Sequence, residues 1–146
     1  FFPNIETVKL ALVERVMNQL YLTLMDSLVK TPINDLAELS DRLIDVTVNF
    51  YQDQLDVVKT ILTMRSTKAF EQIKQQKNEK VIEGIVAHIH KSRPDIDTDT
   101  LTRKAKVAVL ISDVMKMLVW TSSSKQEQQT YVDEWKVLSH AYALTI

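Results

Sequence analysis

His88 and His90 are the residues that most invite a chemical reading, because imidazole is a common metal ligand and proton carrier. Their spacing argues against a shared ion. Side chains two apart on a helix point to opposite sides, so the pair cannot readily chelate one metal, and one histidine partly buried with the other exposed is the expectation. No Glu-x-x-His motif occurs, as a carboxylate-bridged di-iron bundle would need. With no cysteine there is no thiolate site, disulfide or cysteine nucleophile. The one glycine, Gly84, stands inside a helical pattern, which rules out a glycine-rich phosphate loop and makes close packing its expected use. Serines occur without a nucleophile elbow or a base partner. The expectation is a protein that is not an enzyme, with no catalytic residue, metal or cofactor.

Binding chemistry fits the residues better. Ligand pockets are mostly apolar with a few polar anchors. The candidate wall is Met17 and Tyr21 on a first helix, Thr47, Asn49, Phe50 and Tyr51 on a second, Met64 on a third, Ile85 and His88 on a fourth, and Met115 on the penultimate one. Methionine suits an adaptable cavity, while Asn49 and His88 are the polar anchors. Few fixed charges lie among these apolar stretches, so a small, largely apolar effector is expected.

Helices must position these groups. Val8, Leu12, Val16, Leu20, Leu24 and Leu28 recur every four residues behind the N-cap candidate Asn4, a helical spacing whose stripe winds slowly because four residues exceed one turn. Lys30-Thr31-Pro32 stops it. Asn34 or the turn before it opens a second helix carrying Leu36, Leu39, Leu43, Val46, Thr47 and Phe50 and ending near Gln54. A short apolar stretch from Leu55 to Arg65 follows. Ser66 or Thr67 then caps a long polar helix that turns apolar at Val81, Ile82, Ile85, Val86 and Ile89. Arg93 to Asp99 is a break, made by Pro94 and by acids suited to capping.

Between Leu101 and Trp120 apolar residues occupy nearly the whole circumference, with Val107, Leu110, Val114 and Leu118 on one side and Leu101, Ala105, Ala108, Met115 and Val119 on another. Only Asp113 and Lys116 strongly interrupt the run from Val107 to Trp120, and a helix apolar all round is buried on all sides. After Ser122-Ser123-Ser124 the last helix puts Tyr131, Trp135, Leu138 and Tyr142 on one face and Val137, Ala141 and Leu144 on a second. Two apolar faces on a terminal helix exceed what one chain's core needs. The fold class is therefore all-α, a bundle of about six helices whose last two form a four-helix bundle with a second copy. The expected homodimer interface is Leu101, Ala105, Ala108, Val114, Leu118, Tyr131, Trp135, Leu138 and Tyr142.

Composition bounds the rest. The 146 residues are 45% hydrophobic and 25% charged, enough for one domain with a substantial core. A net charge of −1, with lysines scattered among acids, offers no global attraction for nucleic acid. No apolar run reaches the roughly 18 residues of a membrane span, so a cytoplasmic setting without membrane contact is expected.

The opening Phe1-Phe2-Pro3-Asn4-Ile5-Glu6 resembles the junction in TetR-type transcriptional repressors, where the DNA-recognition helix gives way to a long connecting helix. Phe2, Pro3, Asn4 and Glu6 fit that pattern; Ile5 departs from it, standing where a basic residue often touches phosphate. Arg93 to Thr100 is similar to the family's link before its last two helices, and Val132 to Ala143 resembles its final dimer helix. The resemblance implies a ligand-binding and dimerisation domain over residues 1–146, with 1–6 the residue of a junction to a DNA-binding domain upstream. It further implies a bacterial or archaeal regulator that meets operator DNA through a helix-turn-helix and is shifted by a small effector. Whether it represses or activates stays open. So do two other classes: a helical interaction scaffold without a ligand, and a helical enzyme.

Overall fold

The computed structural model describes residues 4–31 and 35–146. The junction residues Phe2 and Pro3 and the cap candidate Asn34 lie outside the described residues. Within them are six helices and no strand: α1 (Ile5–Lys30), α2 (Leu36–Gln52), α3 (Leu55–Met64), α4 (Lys68–Ser92), α5 (Thr98–Trp120) and α6 (Lys125–Ala143).

Helix ends follow local chemistry. Asn4 Oδ1 accepts the Thr7 amide at 2.8 Å, Asp35 Oδ1 that of Ala37 at 2.9 Å, and Thr67 Oγ1 that of Phe70 at 3.2 Å. Asp97 and Ser124 cap α5 and α6 in the same way, both at 3.1 Å. Each such cap satisfies an otherwise orphaned amide and contributes about 1 kcal/mol. Only α3 begins without a side-chain cap, at Gln54. There α2 ends at Gln52, two residues before its expected limit, because the Gln54 amide turns back to the Tyr51 carbonyl at 3.0 Å and redirects the chain.

The winding stripe of α1 explains its burial. Val13, Val16, Met17, Leu20, Leu24 and Leu28 are buried, whereas Val8 and Leu12 have rotated into solvent. Helix α1 packs against α2, α3 and α4, α5 lies between α4 and α6, and α6 returns to cover α2. The main core joins α1 to Tyr51, Val57, Val58, Ile61, Met64 and Phe70; a second gathers Ile44, Met115, Val119, Val132 and Trp135; a third gathers Leu28, Leu39, Ile89 and Leu101. An ion pair and a close polar contact join α6 to α2: Lys136 Nζ to Asp45 Oδ1, and His140 Nε2 to Asp41 Oδ1, both 2.7 Å. No helix among the described residues is long and apolar enough to cross a membrane.

Helix α5 departs from the expectation of burial on every side. Its inner positions Leu101, Ala105, Met115 and Val119 are buried, but Val107, Leu110, Val114 and Leu118 are exposed. One chain supplies neighbours for one side only.

Gly84 sits where α4 meets α1. A Cβ there would stand 2.3 Å from Met25 Sδ and 2.8 Å from Cε, too close unless that side chain moves. Alanine favours a helix over glycine by about 1 kcal/mol, so two effects compete. We expect Gly84→Ala alone to be near neutral in urea unfolding, and the same change in a Met25→Ala background to stabilise by up to about 1 kcal/mol. Equal effects in both backgrounds would mean that Gly84 does not meet Met25.

Candidate ligand-binding cleft

The inward side of α2 presents Thr47 and Tyr51, four residues apart and hence on one face. Opposite them stand Lys116, Val119 and Trp120 of α5 and Gln128, Gln129, Val132 and Trp135 of α6. With Val48, Gln52, Leu55, Val58 and Lys125 they enclose a cleft of about 510 Å³. That lies within the range of small-molecule sites, roughly 300–1,000 Å³.

Its aromatic wall is ordered by edge contacts. The Tyr51 ring meets Trp120 with centroids 4.8 Å apart and planes at 71°, and Phe50 flanks Tyr51 at 5.3 Å. Lys116 Nζ lies 6.0 Å from the centre of the Trp120 ring, at the outer reach of a cation–π contact. Trp135 is 2% exposed, and its indole N–H has no acceptor among the described residues. A buried donor left unpaired costs about 1–3 kcal/mol, so an acceptor brought to it would bind with advantage.

Behind the cleft is Asp113, its side chain 13% exposed. Asn78 Nδ2 donates to Oδ2 at 2.9 Å, Lys116 Nζ lies 3.3 Å from Oδ1, and Lys74 Nζ 4.0 Å from Oδ2. A carboxylate in so apolar a helix is tolerable only when paired and hydrogen-bonded. Burial, and secondarily the Asp113 charge, push the Tyr51 hydroxyl far above the usual phenol range. Asp113, Lys116, Asn78, Thr47 and Trp135 also border a second, smaller cavity of about 130 Å³ reaching Leu20, Leu24 and Ile85. A third, of about 100 Å³, lies between Leu39, Ile89, Leu101, Ala105 and Tyr142.

Of the expected wall residues, the structure brings Thr47 and Tyr51 to the main cleft and Ile85 to the smaller cavities. Met17 and Met64 are buried in the main core, with Phe50 packed against it, and Met115 belongs to the second core. Tyr21 is half-buried and borders none of the three cavities. Asn49 is exposed: two residues before Tyr51 it lies about 160° around the helix, away from the cleft. His88 and His90 are both half-buried, rather than one in and one out, and neither borders these cavities. Among the described residues no three acidic, histidine or cysteine side chains are placed to hold a metal.

The interface residues divide as well. Ala108, Val114, Leu118 and Leu138 are exposed, and Tyr131 and Tyr142 half-buried, Tyr142 under Lys104 Nζ at 4.5 Å. Leu101, Ala105 and Trp135 are instead buried inside the chain: Leu101 against Leu28, Leu39 and Ile89, and Trp135 against Ile44 and Val132. What sequence reasoning missed is Lys116, Trp120 and the polar group around Asp113. The signal was present, since Asp113 and Lys116 alone interrupt the apolar stretch from Val107 to Trp120 and stand one turn apart.

The family model described as tetracyclin repressor-like, C-terminal domain, matches residues 34–145 of this chain. The chain belongs to that family. No curated protein and no solved structure matches it significantly. The family match covers α2 to α6 and so includes the whole lining of the main cleft.

The Tyr51 hydroxyl gives a pH prediction. Its ordinary value is 10.0 and folding raises it, so the folded chain holds the proton that the unfolded chain releases. This contribution is complete below pH 10.0 and is lost as pH climbs toward the raised folded value. Lys136, raised above its ordinary 10.5 by its hydrogen bond to Asp45, acts in the same direction. Stability should therefore fall above about pH 10, and more shallowly in Tyr51→Phe, which retains only the Lys136 part. Urea titrations at stepped alkaline pH check this; identical slopes would contradict the burial of the hydroxyl.

Proposed function

We propose that this chain is the effector-sensing and dimerising body of a cytoplasmic transcriptional regulator of the tetracyclin repressor type. DNA contact would belong to a helix-turn-helix domain joined ahead of α1. Family membership supports this, and the family's own description, a C-terminal domain, implies a part that precedes it. The near-neutral charge of these residues, −1, supports assigning operator binding to that other part. The role is one of binding and not of catalysis.

One observation carries the reading: α5 and α6 wall an internal cleft on one side and expose an apolar band on the other. The band comprises Val107, Leu110, Val114 and Leu118 with Val137, Leu138 and Leu144. Contiguous exposed apolar surface marks an interaction site, and two adjacent helices exposing such a band pair naturally with their own copies as a four-helix bundle. Leu138 and the Val137–Leu144 side of α6 would meet the partner, while Trp135 and Val132 stay with the chain's own core. A ligand entering the cleft displaces the inner side of the same helices. It changes DNA affinity only so far as it binds one arrangement better than the other. The lever would be α1, whose Ile5, Val8 and Leu12 are exposed along one side of its first turns.

Sedimentation velocity tests the interface. The unaltered chain should run as a dimer, and Leu118→Glu or Leu138→Glu as monomers with undiminished helical circular dichroism, since both positions are exposed. A dimer surviving both changes would move the interface elsewhere, and an unaltered chain that is monomeric at micromolar concentration would remove it.

A further inference from the structure

Charge is distributed unevenly around the main cleft. Its lining includes two cations, Lys116 and Lys125, and no carboxylate. The nearest balancing acid, Asp113, lies behind Lys116 and is shared: Asn78 and Lys74 also serve it. Lys116 carries three donor protons, and one carboxylate oxygen at 3.3 Å does not exhaust them. Lys125 is exposed and opens α6. A second sign is Trp135, a side chain 2% exposed that borders both this cleft and the smaller cavity and whose indole N–H lacks an acceptor among the described residues. Donors without matching acceptors call for a ligand rich in acceptors.

The rest of the lining specifies the ligand's body. Tyr51 and Trp120 meet edge to face, and the Val58 and Val119 side chains complete an apolar surface beside them. Flat hydrophobic groups pack well against such rings. At about 510 Å³ the cleft accepts a molecule of one or two fused rings with room for substituents.

We infer that the cleft between α2, α3, α5 and α6 takes a small aromatic carboxylate, its rings against Tyr51 and Trp120 and its anionic group on Lys116. This rests on the sensor reading above and refines the largely apolar effector expected from the sequence. Lys116 is the specificity-determining residue: a charge-assisted hydrogen bond in a site partly screened from water discriminates an acid from its neutral isostere. Its link to Asp113 then connects ligand charge to the contact between α4 and α5, because a second anion on Lys116 weakens its hold on the first.

The test compares three probes of one shape, 2-naphthoate, 2-naphthamide and 2-naphthylmethylammonium, by isothermal titration calorimetry on the intact chain. Tryptophan emission reports the location, since the chain's only two tryptophans, Trp120 and Trp135, both line the cleft. The expected result is saturable binding of 2-naphthoate with altered emission, about tenfold or more tighter than the amide or the cation. That preference should be lost in Lys116→Met and restored in Lys116→Arg. The comparison on the unaltered chain does not depend on any variant folding. Amide binding as tight as the acid, with altered emission, would overturn the anionic class and leave a ligand cleft standing. If none of the three binds, the aromatic-acid site falls, while the sensing reading of the cleft stands, since ligands of other shape and charge are untouched by these probes.

Discussion

A carboxylate in the middle of an apolar helix is the constraint on which the rest depends. Asp113 stands in the C-terminal half of α5, within its apolar stretch from Val107 to Trp120, and its carboxylate is held by the groups that reach it. Asn78 and Lys74 come from α4 and Lys116 from one turn further along α5. Meeting that demand fixes the register of α4 against α5, positions the lysine that enters the cleft, and places a charge near the Tyr51 hydroxyl. Replacing the group with well-packed hydrophobic residues would often be no less stable.

Around this group the last two helices serve two masters. Their inner residues, Met115, Val119, Val132 and Trp135, close a core against Ile44 of α2. Their outer residues, Val114, Leu118, Val137 and Leu138, are exposed. Small shifts on one side of a packed helix reach the other, because close-packed interfaces move between discrete arrangements and do not deform freely. A cleft and an exposed apolar surface on opposite sides of the same helix are thus physically suited to coupling.

Much of the fold was legible in the sequence. Asn4 and Thr67 act as the caps that their chemistry allows, Asp97 is the acid of the Arg93–Asp99 break that caps α5, and the separation of Val107–Leu118 from Met115–Val119 on α5 follows from helical spacing alone. The cleft was less legible, for reasons that particular residues make plain. Apolar type and spacing cannot distinguish a cavity wall from core filling: Met17 and Met64 serve the core alone, Thr47 lines the cleft, and Tyr51 does both. Asn49 looked like an anchor for its polarity, but its angle on α2 turns it outward. Trp135 and Leu138 were read as one face; the chain's own α2 claims the tryptophan and leaves the leucine free. Which lysine meets which acid across α4 and α5 depends on a helix register that no local pattern encodes.

The most direct test of the central claim is a double-mutant cycle between Asp113 and Asn78, which join α5 to α4 at 2.9 Å, read by urea unfolding of Asp113→Ala, Asn78→Ala and the double variant. Hydrogen bonds to charged groups contribute about 1.5–3 kcal/mol, so a coupling energy of at least about 1 kcal/mol is predicted. Additive effects of the two changes would contradict it, and Asp113 would then be a tolerated charge and not the pin that holds α4, α5 and the cleft in place.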